Sequence, residues 1–212
     1  MDAFEELAAD LFRSEGCWAR TGVRLDLTRE EKLRIGRHSS PRWEIDLVVW
    51  KPAEQMLLAL ECKSYLDSGG VHAAHFLPGS RYAHRYKLFH DPVLRETVLG
   101  RLKQQFVESG LCTPDACVQL GLVHAHATPG NAARLAAHFE AEGWLLFGPD
   151  WIRAGLRRLA EGSWENSTAA VVAKLLLRRE VASAGTASPR RRTGFKPAPL
   201  NLEPDHQQGS FS

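Results

Sequence analysis

Two carboxylates and a lysine lie in a pair of apolar segments in the first third of the chain. Glu61 and Lys63 come directly after the apolar residues 56–60, and Asp46 lies inside a second apolar run, residues 43–50. Side chains alternate across the pleat of a strand, so residues two positions apart point to the same face. If both runs are strands, Glu61 and Lys63 share a face, and such a pair is suited to hydrolytic chemistry.

The two runs are spaced as the strands of an antiparallel hairpin. Residues 51–55 between them have the composition of a turn. Pairing Trp50 with Leu57 places Asp46 directly opposite Glu61. Two carboxylates that face each other across strands are unfavourable, and a divalent cation between them would remove that penalty. The spacing therefore predicts a metal site with a lysine beside it.

This order of an Asp, a hairpin and a Glu-x-Lys strand end resembles the PD-(D/E)XK nuclease superfamily. An amphipathic helix at residues 3–12 precedes the hairpin and carries Glu5 and Glu6. By position Glu5 matches the first-helix glutamate of the superfamily better, and Glu6 is the alternative. The residue before Asp46 is Ile45 and not proline, a position at which members of the superfamily vary.

The resemblance covers roughly residues 1–126. Within it, residues 61–71 followed by residues 85–89 are similar to a group of uncharacterised bacterial proteins of the superfamily, which implies no substrate. The resemblance implies an α/β, restriction-endonuclease-like fold, with a mixed central sheet flanked by helices. It also implies a metal-dependent nuclease, with a DNA endonuclease of repair, recombination or anti-phage defence favoured and RNA as the other substrate.

The site residues follow from the resemblance one by one. Asp46, Glu61, Lys63 and Glu5 are implied to be catalytic, and Asp46, Glu61 and the backbone carbonyl of Cys62 are implied to bind Mg²⁺ or Mn²⁺. The metal would polarise the scissile phosphate and lower the pKa of a bound water. Lys63 would orient that water and stabilise charge that develops on the phosphate oxygens.

Simpler interpretations compete with a nuclease site. The three charged residues of the hairpin would form an ordinary ion pair on a solvated strand face, but the neighbours expected on that face are apolar. These neighbours are Val48, Leu57 and Ala59. A nucleic-acid-binding or interaction subunit that keeps the fold and needs a partner for activity is the alternative function. A metal-dependent hydrolase of a non-nucleic phosphate is a further one, and the missing phosphate-binding glycine-rich loop argues against a nucleotide as its substrate.

Residues 81–90 interleave basic and aromatic side chains, which is typical of contacts with phosphates and bases. The candidate nucleic-acid-binding residues are Arg81, Tyr82, Arg85 and Lys87. The alternative is a helix whose basic residues are solvated and whose aromatic residues lie in the core. Those aromatic residues are Tyr82, Tyr86 and Phe89.

Three further sets of residues have a chemistry that the sequence leaves open. Arg101 or Gln105 would either reach the metal site or face solvent, and solvent is favoured. His72 and His75, in a segment rich in Gly and His, are candidates for a general acid or a metal ligand. Two cysteines and two histidines suggest zinc, but their spacing matches no common zinc module, so ordinary packing is favoured. These four residues are Cys112, Cys117, His124 and His126.

Composition indicates an ordinary globular protein, with 44% hydrophobic and 25% charged residues in a chain of 212. No apolar stretch has the length of a membrane span, and the acidic residues 1–6 lack the features of a signal peptide. The four cysteines show no disulfide-framework spacing, so we expect a cytoplasmic protein without membrane contact. The net charge of +2 means that nucleic-acid binding would depend on local patches.

The chain divides into a nuclease-like core at residues 1–148, helices packed on it at residues 149–180 and a disordered tail at residues 181–212. The C-terminal helices would alternatively build the face of a homodimer. Residues 28–42 are expected to form a loop or short helix, and residues 67–80 a flexible loop. Helices are expected at residues 2–14, 91–110, 129–142, 149–160 and 167–179, and strands at residues 17–25, 43–50, 56–63, 116–127 and 144–147.

Overall fold

A mixed sheet forms the centre of the protein in the computed structural model, which describes residues 2–36, 42–162 and 167–184. From residue 178 onward this description is of the backbone alone. The described strands are β1 (Trp18–Leu25), β2 (Trp43–Lys51), β3 (Met56–Lys63), β4 (Cys117–His124) and β5 (Leu145–Phe147). The described helices are α1 (Ala3–Ser14), α2 (Arg29–Arg34), α3 (Lys87–His90), α4 (Pro92–Glu108), α5 (Pro129–Ala141), α6 (Pro149–Glu161) and α7 (Thr168–Ala184).

The strands lie in the order β1-β2-β3-β4-β5. Strands β1, β2 and β3 are antiparallel neighbours, whereas β4 and β5 run parallel to β3. Parallel neighbours need a crossover connection, and α4 lies in the one that joins β3 to β4. The architecture is therefore α/β, with a five-stranded mixed sheet flanked by helices, as the sequence predicted.

The hairpin of β2 and β3 has the predicted register. Trp50 pairs with Leu57, and the ladder of paired residues continues to Leu47 and Leu60. The next step of the same register sets Asp46 opposite Glu61, at the point where the two strands cease to pair. The two carboxylates therefore occupy the end of the hairpin, where the backbone hydrogen bonds between β2 and β3 stop.

Both faces of the central strands are covered, as expected of strands with apolar residues on each side. Leu57 and Ala59 belong to a buried cluster with residues of α4 and α5. Leu58 and Leu60 belong to a second cluster with residues of α1, α6 and α7. Successive residues of β3 thus enter opposite cores, and this alternation fixes the face on which each polar residue at the end of β3 lies.

Helices α1 and α4, which precede and follow the site in the sequence, each begin with a side-chain cap. The Asp2 carboxylate accepts a hydrogen bond from Phe4 N at 2.7 Å and caps α1. The Asp91 carboxylate accepts one from Leu94 N at 2.9 Å and caps α4, with Pro92 as its first residue. Both helix starts agree with the sequence prediction, because Asp is a preferred N-cap and proline suits the first helical position.

The segment at residues 67–80 differs from the flexible loop that we expected. It contains the 3-10 helix Ala73–His75, and Val71 and Phe76 are buried within the core cluster of Leu57. Gly70 has a φ of +78°, and a Cβ there would lie 2.5 Å from the carbonyl oxygen of His126. Glycine is therefore required where this segment meets the end of β4.

The segment at residues 28–42 begins with α2, for which Thr28 and Glu31 form a capping box. This agrees with the expected short helix, and residues 37–41 of the prediction lie outside the described residues. The strand predicted at residues 116–127 is shorter than expected, since β4 ends at His124.

The C-terminal helices α6 and α7 share a buried cluster with α1. Ile152 and Ala170 lie in the same buried cluster as Leu11 of α1. Helix α7 extends to Ala184, so the tail does not begin at Val181 as predicted, and residues 185–212 of that prediction lie outside the described residues. The homodimer stays a prediction. Within the described part of the chain, no helix combines the length and the apolar character that crossing a membrane requires.

Candidate functional site

The end of the β2–β3 hairpin brings the three predicted catalytic residues together. Lys63 Nζ lies 2.5 Å from Glu61 Oε1 and 3.5 Å from Asp46 Oδ2. The side chains of Asp46, Glu61 and Lys63 are 27%, 23% and 18% exposed, so they are largely shielded from solvent. The ion pair of the simpler interpretation is therefore present, but it lies on a largely shielded strand face, where the balance of charge in the cluster is important.

Asp46 is held in place by the backbone of the opposite strand. Its Oδ2 atom accepts a hydrogen bond from Cys62 N at 2.9 Å. Because the ladder between β2 and β3 has already ended, this N–H binds the carboxylate in place of a carbonyl of β2. A hydrogen bond to an ionised acceptor is stronger than one between neutral groups, so the orientation of Asp46 is well defined.

The ammonium group of Lys63 lies at the centre of the cluster. In addition to the two carboxylates, it donates a hydrogen bond to the carbonyl oxygen of Cys62 at 3.0 Å. The three groups that contact Lys63 Nζ are the same three that we predicted as metal ligands: Asp46, Glu61 and the Cys62 carbonyl. A single positive charge at this point relieves the repulsion between carboxylates that face each other across the strands.

Burial and neighbouring charges act on the protons of this cluster in opposite directions. Burial raises the pKa of Glu61, with Asp46 adding to the rise and Lys63 opposing it. Burial also tends to lower the pKa of Lys63, but the charges of Glu61 and Asp46 outweigh that effect and raise it above its ordinary value. Lys63 therefore stays charged, which the role of counter-ion requires.

Of the two candidate glutamates on α1, the structure places Glu5 beside the cluster. Burial raises the pKa of Glu5, and the charge of Asp46 raises it further. Glu6 instead accepts a hydrogen bond from Thr21 Oγ1 at 2.5 Å and pairs with Arg13 at 3.3 Å. Glu5 and Glu6 are neighbours in sequence but point to different parts of the molecule, since adjacent helix positions do not share a face.

A small cavity of about 330 Å³ opens beside the cluster. Glu5, Asp46 and Lys63 all contribute to its lining, which is completed by Asp2, Phe4, Cys62, Ser64 and Tyr65. Glu61 does not line this cavity and reaches it only through its contact with Lys63. The cavity is thus a space in which Lys63 and two carboxylates can contact a substrate group.

Within the described residues, no three side chains of His, Cys, Asp or Glu form a group that would hold a metal ion. The oxygen atoms at the hairpin end come from two carboxylates and one backbone carbonyl. No family model, curated protein or solved structure matches this chain. Its function is therefore inferred from the geometry of its own residues.

The basic segment, residues 81–90, has features of both alternatives that the sequence left open, a nucleic-acid contact and a packed segment with aromatic residues in the core. Tyr86 and Phe89 are buried in the core, at 1% and 4% exposure. Tyr82 stays half-buried at the surface, where the guanidinium carbons of Arg81 and Arg85 lie 4.8 Å and 5.7 Å from its ring centroid. Two of the three aromatic residues therefore serve packing, and Tyr82 remains with the exposed cations.

Lys87, the last of the predicted nucleic-acid-binding residues, connects this segment to the site. Its side chain is exposed at the start of α3, and its charge opposes the rise in the pKa of Glu61. The next residues, Leu88 and Phe89, are buried in the core cluster of Leu57 and Ala59, so the segment packs on the face of β3 to which Glu61 belongs.

Arg101 and Gln105 do not reach the site. Arg101 binds the carboxylate of Glu31 in α2 at 2.9 Å, and the Gln105 amide donates to the carbonyl of Arg24 at 3.1 Å. Both residues thus join α4 to the first strand and α2, so their role is in the packing of the fold.

The zinc interpretation of the cysteines and histidines is also excluded among the described residues. Cys117 is exposed, whereas Cys112 and His124 are buried in the core. Burial lowers the pKa of His124, which is consistent with a neutral core histidine.

Tyr65 is a residue of the cavity that the sequence analysis missed. Tyr65 lines the cavity and has a φ of +41°, which is rare for a bulky residue and marks a strained backbone. Burial raises the pKa of Tyr86, and the nearby Tyr65 and Glu61 raise it further. The position of Tyr65 just after the Glu-x-Lys strand end was the one available signal.

Proposed function

We propose that the protein is a metal-dependent nuclease with a restriction-endonuclease-like fold, which hydrolyses phosphodiester bonds in DNA, with RNA as the alternative substrate. The observation that carries this proposal is the convergence of oxygen atoms from Asp46, Glu61 and the Cys62 carbonyl on one positive group. The mixed sheet and its antiparallel hairpin also support it. The expected cofactor is Mg²⁺ or Mn²⁺.

The oxygen atoms of the cluster fit a hard divalent cation. Carboxylate and carbonyl oxygens are the ligands that Mg²⁺ prefers, and three of them already contact a single cationic nitrogen. Asp46, Glu61 and the Cys62 carbonyl would hold the ion, and Glu5 would bind it directly or through water. When bound, the ion supplies Lewis acidity toward the scissile phosphate.

Lys63 has a second position available to it in this proposal. An ammonium group and a divalent cation cannot occupy the same three oxygen atoms, because their positive charges repel. Lys63 also lines the cavity beside Asp46 and Glu5, so its long side chain can turn toward a substrate phosphate there. In that position it stabilises the negative charge that develops on the phosphate oxygens.

The basic segment gives this site access to a polyanion. Arg81, Arg85 and Lys87 are all exposed on this segment, and the charge of Lys87 opposes the rise in the pKa of Glu61. Cations that contact successive phosphates provide affinity without sequence preference. We therefore expect the segment to position the strand that Lys63 acts on.

The experiment that tests the proposal is cleavage of supercoiled plasmid by the wild-type protein and by Lys63→Ala, with Mg²⁺, with Mn²⁺ or with EDTA. Nicking or linearisation is expected for the wild type, only with metal, and not for Lys63→Ala. Lys51→Ala is the matched control, because Lys51 lies at the other end of β2 and pairs with Glu54 at 3.1 Å. It should cut as the wild type does.

Equal cutting by wild type and Lys63→Ala would reject the assignment of the active site. If neither protein cuts plasmid, a linear, a branched and an RNA substrate are tried next under the same conditions. Failure on all of them would reject a nuclease that acts as a single chain.

A nucleic-acid-binding subunit that needs a partner for activity is the second candidate function. The observation in its favour is that Lys63 alone already balances Asp46 and Glu61. In that case the cluster would stabilise the end of the hairpin and would need no metal. Binding to DNA that is equally tight with EDTA and with Mg²⁺, without cutting of any substrate, would select this alternative.

A further inference from the structure

A second pocket, of about 400 Å³, lies between the 3-10 helix Ala73–His75 and the segment that begins at Ser80. Its lining residues are His72, Ala74, His75, Ser80, Arg81 and Tyr82. This lining combines hydrogen-bond donors with an aromatic ring and contains no acidic side chain. Such a set suits a ligand that has a negative charge and a flat face.

Among the described residues, no carboxylate neutralises the positive charge of the pocket. Arg81 Nη2 donates to the hydroxyl of Tyr82 at 2.8 Å, and Arg81 and Arg85 both lie over the Tyr82 ring. Among the described residues, neither arginine forms an ion pair with a carboxylate. The guanidinium of Arg81, which lines the pocket, is therefore available to an anionic ligand.

Two imidazoles line the same pocket as Arg81. The ring centroids of His72 and His75 are 5.1 Å apart, and His75 lies 4.4 Å from the Tyr82 ring. Burial lowers the pKa of His75, and the charges of His72, Arg85 and Arg81 lower it further. The same excess of positive charge that disfavours a proton on His75 favours an anion beside it.

The backbone around the pocket is fixed before any ligand binds. Val71 N donates to the carbonyl of His126 at 2.9 Å, and the His90 ring nitrogen contacts the carbonyl of His75 at 2.7 Å. Phe76, the residue after the 3-10 helix, is buried in the core. A preformed pocket loses less conformational entropy on binding, which favours affinity.

One aromatic layer separates this pocket from the catalytic cluster. The ring of His75 stacks on Tyr86, with centroids 5.7 Å apart and an interplanar angle of 24°. Tyr86 is buried in the core cluster against which Tyr65 packs, and Tyr65 lines the catalytic cavity. The pocket and the cavity are therefore connected through the packing of these two rings.

We propose that this pocket, which we call the terminal-phosphate pocket, binds the phosphomonoester at the end of a nucleic-acid strand. Arg81 and the imidazoles of His72 and His75 bind the phosphate, and the terminal base stacks on Tyr82. A phosphomonoester carries close to two negative charges at neutral pH, and it is bonded to the strand through only one of its oxygens. It therefore suits an acid-free pocket better than an internal phosphodiester does.

This inference rests on the proposed function and names its substrate class, a strand whose cleavage site is set by the distance to a phosphorylated end. Both ends of a strand offer the same chemistry, so the 5′ and 3′ positions are distinguished by experiment. Binding is measured in EDTA, which removes cleavage from the result. It is measured by fluorescence anisotropy with three oligonucleotides of one sequence, which carry a 5′-phosphate, a 3′-phosphate or hydroxyl groups at both ends.

One of the two phosphorylated oligonucleotides is expected to bind about tenfold more tightly than the hydroxyl form, because charge-assisted hydrogen bonds are strong. Arg81→Gln should remove this preference. Arg157→Gln is the matched control, since Arg157 is exposed on α6 and is far in sequence from the pocket. It should keep the preference in full.

Equal affinity for the three oligonucleotides would overturn the inference, and so would a preference that survives in Arg81→Gln. As a second measurement, inorganic phosphate is titrated while the imidazole NMR signals are followed. The signals of His72 and His75 should shift, and those of the core residue His124 should not. A preference for phosphorylated ends in a protein that never cuts would keep the pocket and reject the nuclease, so the two failures are distinguishable.

Discussion

Lys63 Nζ lies 2.5 Å from Glu61 Oε1, and the two residues share one face of β3. Asp46 contacts the same nitrogen from β2, at 3.5 Å. The lysine is therefore the counter-ion of two carboxylates that would otherwise repel each other. In a metal-dependent enzyme the cation and the lysine compete for these oxygens, and this competition has consequences that can be measured.

Lys63→Ala is expected to bind Mn²⁺ more tightly than the wild type while it loses cleavage. Removal of the ammonium leaves Asp46 and Glu61 without a counter-ion, so a divalent cation gains an uncontested site, worth about tenfold in affinity. Isothermal titration calorimetry with Mn²⁺ checks this, with Lys51→Ala as the control of unchanged affinity. Weaker Mn²⁺ binding by Lys63→Ala would mean that the lysine supports the metal site.

Two substitutions at Asp46 separate its charge from its hydrogen bond. Asp46→Asn keeps an oxygen that can accept from Cys62 N, so its stability should be close to that of the wild type while cleavage is lost. Asp46→Ala leaves that N–H without its acceptor, which costs about 1–3 kcal/mol. Denaturant unfolding and plasmid nicking measure the two effects. Retained cleavage by Asp46→Asn would exclude the carboxylate from the reaction.

The stability of Glu5→Gln relative to the wild type is expected to depend on pH. Burial and the charge of Asp46 raise the pKa of Glu5 above its ordinary value of 4.5, so ionisation of Glu5 weakens the folded state. This destabilisation is absent below the pKa that Glu5 has in the unfolded chain. It develops as pH rises through the pKa that Glu5 has in the folded protein. Glu5→Gln should therefore have the higher melting temperature at neutral pH, and no advantage below pH 4.5.

Glu6→Gln is the control for Glu5→Gln and should behave in the opposite way. The hydrogen bond from Thr21, aided by Arg13, lowers the pKa of Glu6, so its ionised form stabilises the fold. That stability is present above the unfolded pKa and is lost as pH falls through the lowered pKa. Glu6→Gln should thus melt below the wild type at neutral pH. Shifts of the same sign in both variants would contradict the assigned environments.

Reversal of charge at Arg81 and Arg85 is expected to lower the affinity for DNA. It is also expected to make that affinity less dependent on salt concentration. Two lost phosphate contacts would reduce the slope of log affinity against log salt by about 1.8 for duplex DNA. The control carries Arg134→Glu and Arg157→Glu, which change the net charge equally from two other exposed positions. If the Arg81 and Arg85 variant kept the affinity and slope of the wild type, the basic segment would not contact DNA.

The hairpin and its register follow from the sequence because the signals are local. Two apolar runs, residues 43–50 and 56–63, with a turn between them leave few choices of pairing. The pairing of Trp50 with Leu57, on which the predicted site depends, is confirmed. The signals for the helix starts near residues 2 and 91 are equally local, and both starts were predicted.

Other features depend on contacts between distant segments and could not be predicted. The Gly-rich composition of residues 67–80 indicates a flexible loop, but burial of Val71 and Phe76 between α4 and α5 orders it. Similarly, the choice between Glu5 and Glu6 depends on Thr21, which binds only Glu6. A single sequence shows which residues are able to do chemistry, and the partners of each residue appear only after the chain folds.

A pair of glycine substitutions tests whether the packing of α1 on α6 positions the site. Gly100 in α4 has nothing within 4 Å of an added Cβ, so Gly100→Ala should stabilise the protein by about 0.5–1 kcal/mol through helix propensity. At Gly155 in α6 an added Cβ would lie 2.9 Å from Leu11 Cδ2. Overpacking at Gly155 costs about 1–3 kcal/mol. This cost exceeds the gain in helix propensity that an alanine gives at either position.

Gly155→Ala should therefore be less stable than the wild type in denaturant unfolding, in contrast to Gly100→Ala. Leu11 is completely buried and belongs to α1, the helix that carries Glu5. A shift of Leu11 moves Glu5 relative to Asp46, so we also expect slower plasmid nicking by the folded Gly155→Ala variant at saturating Mg²⁺. Unchanged nicking together with reduced stability would show that the packing of Leu11 on α6 does not position the site.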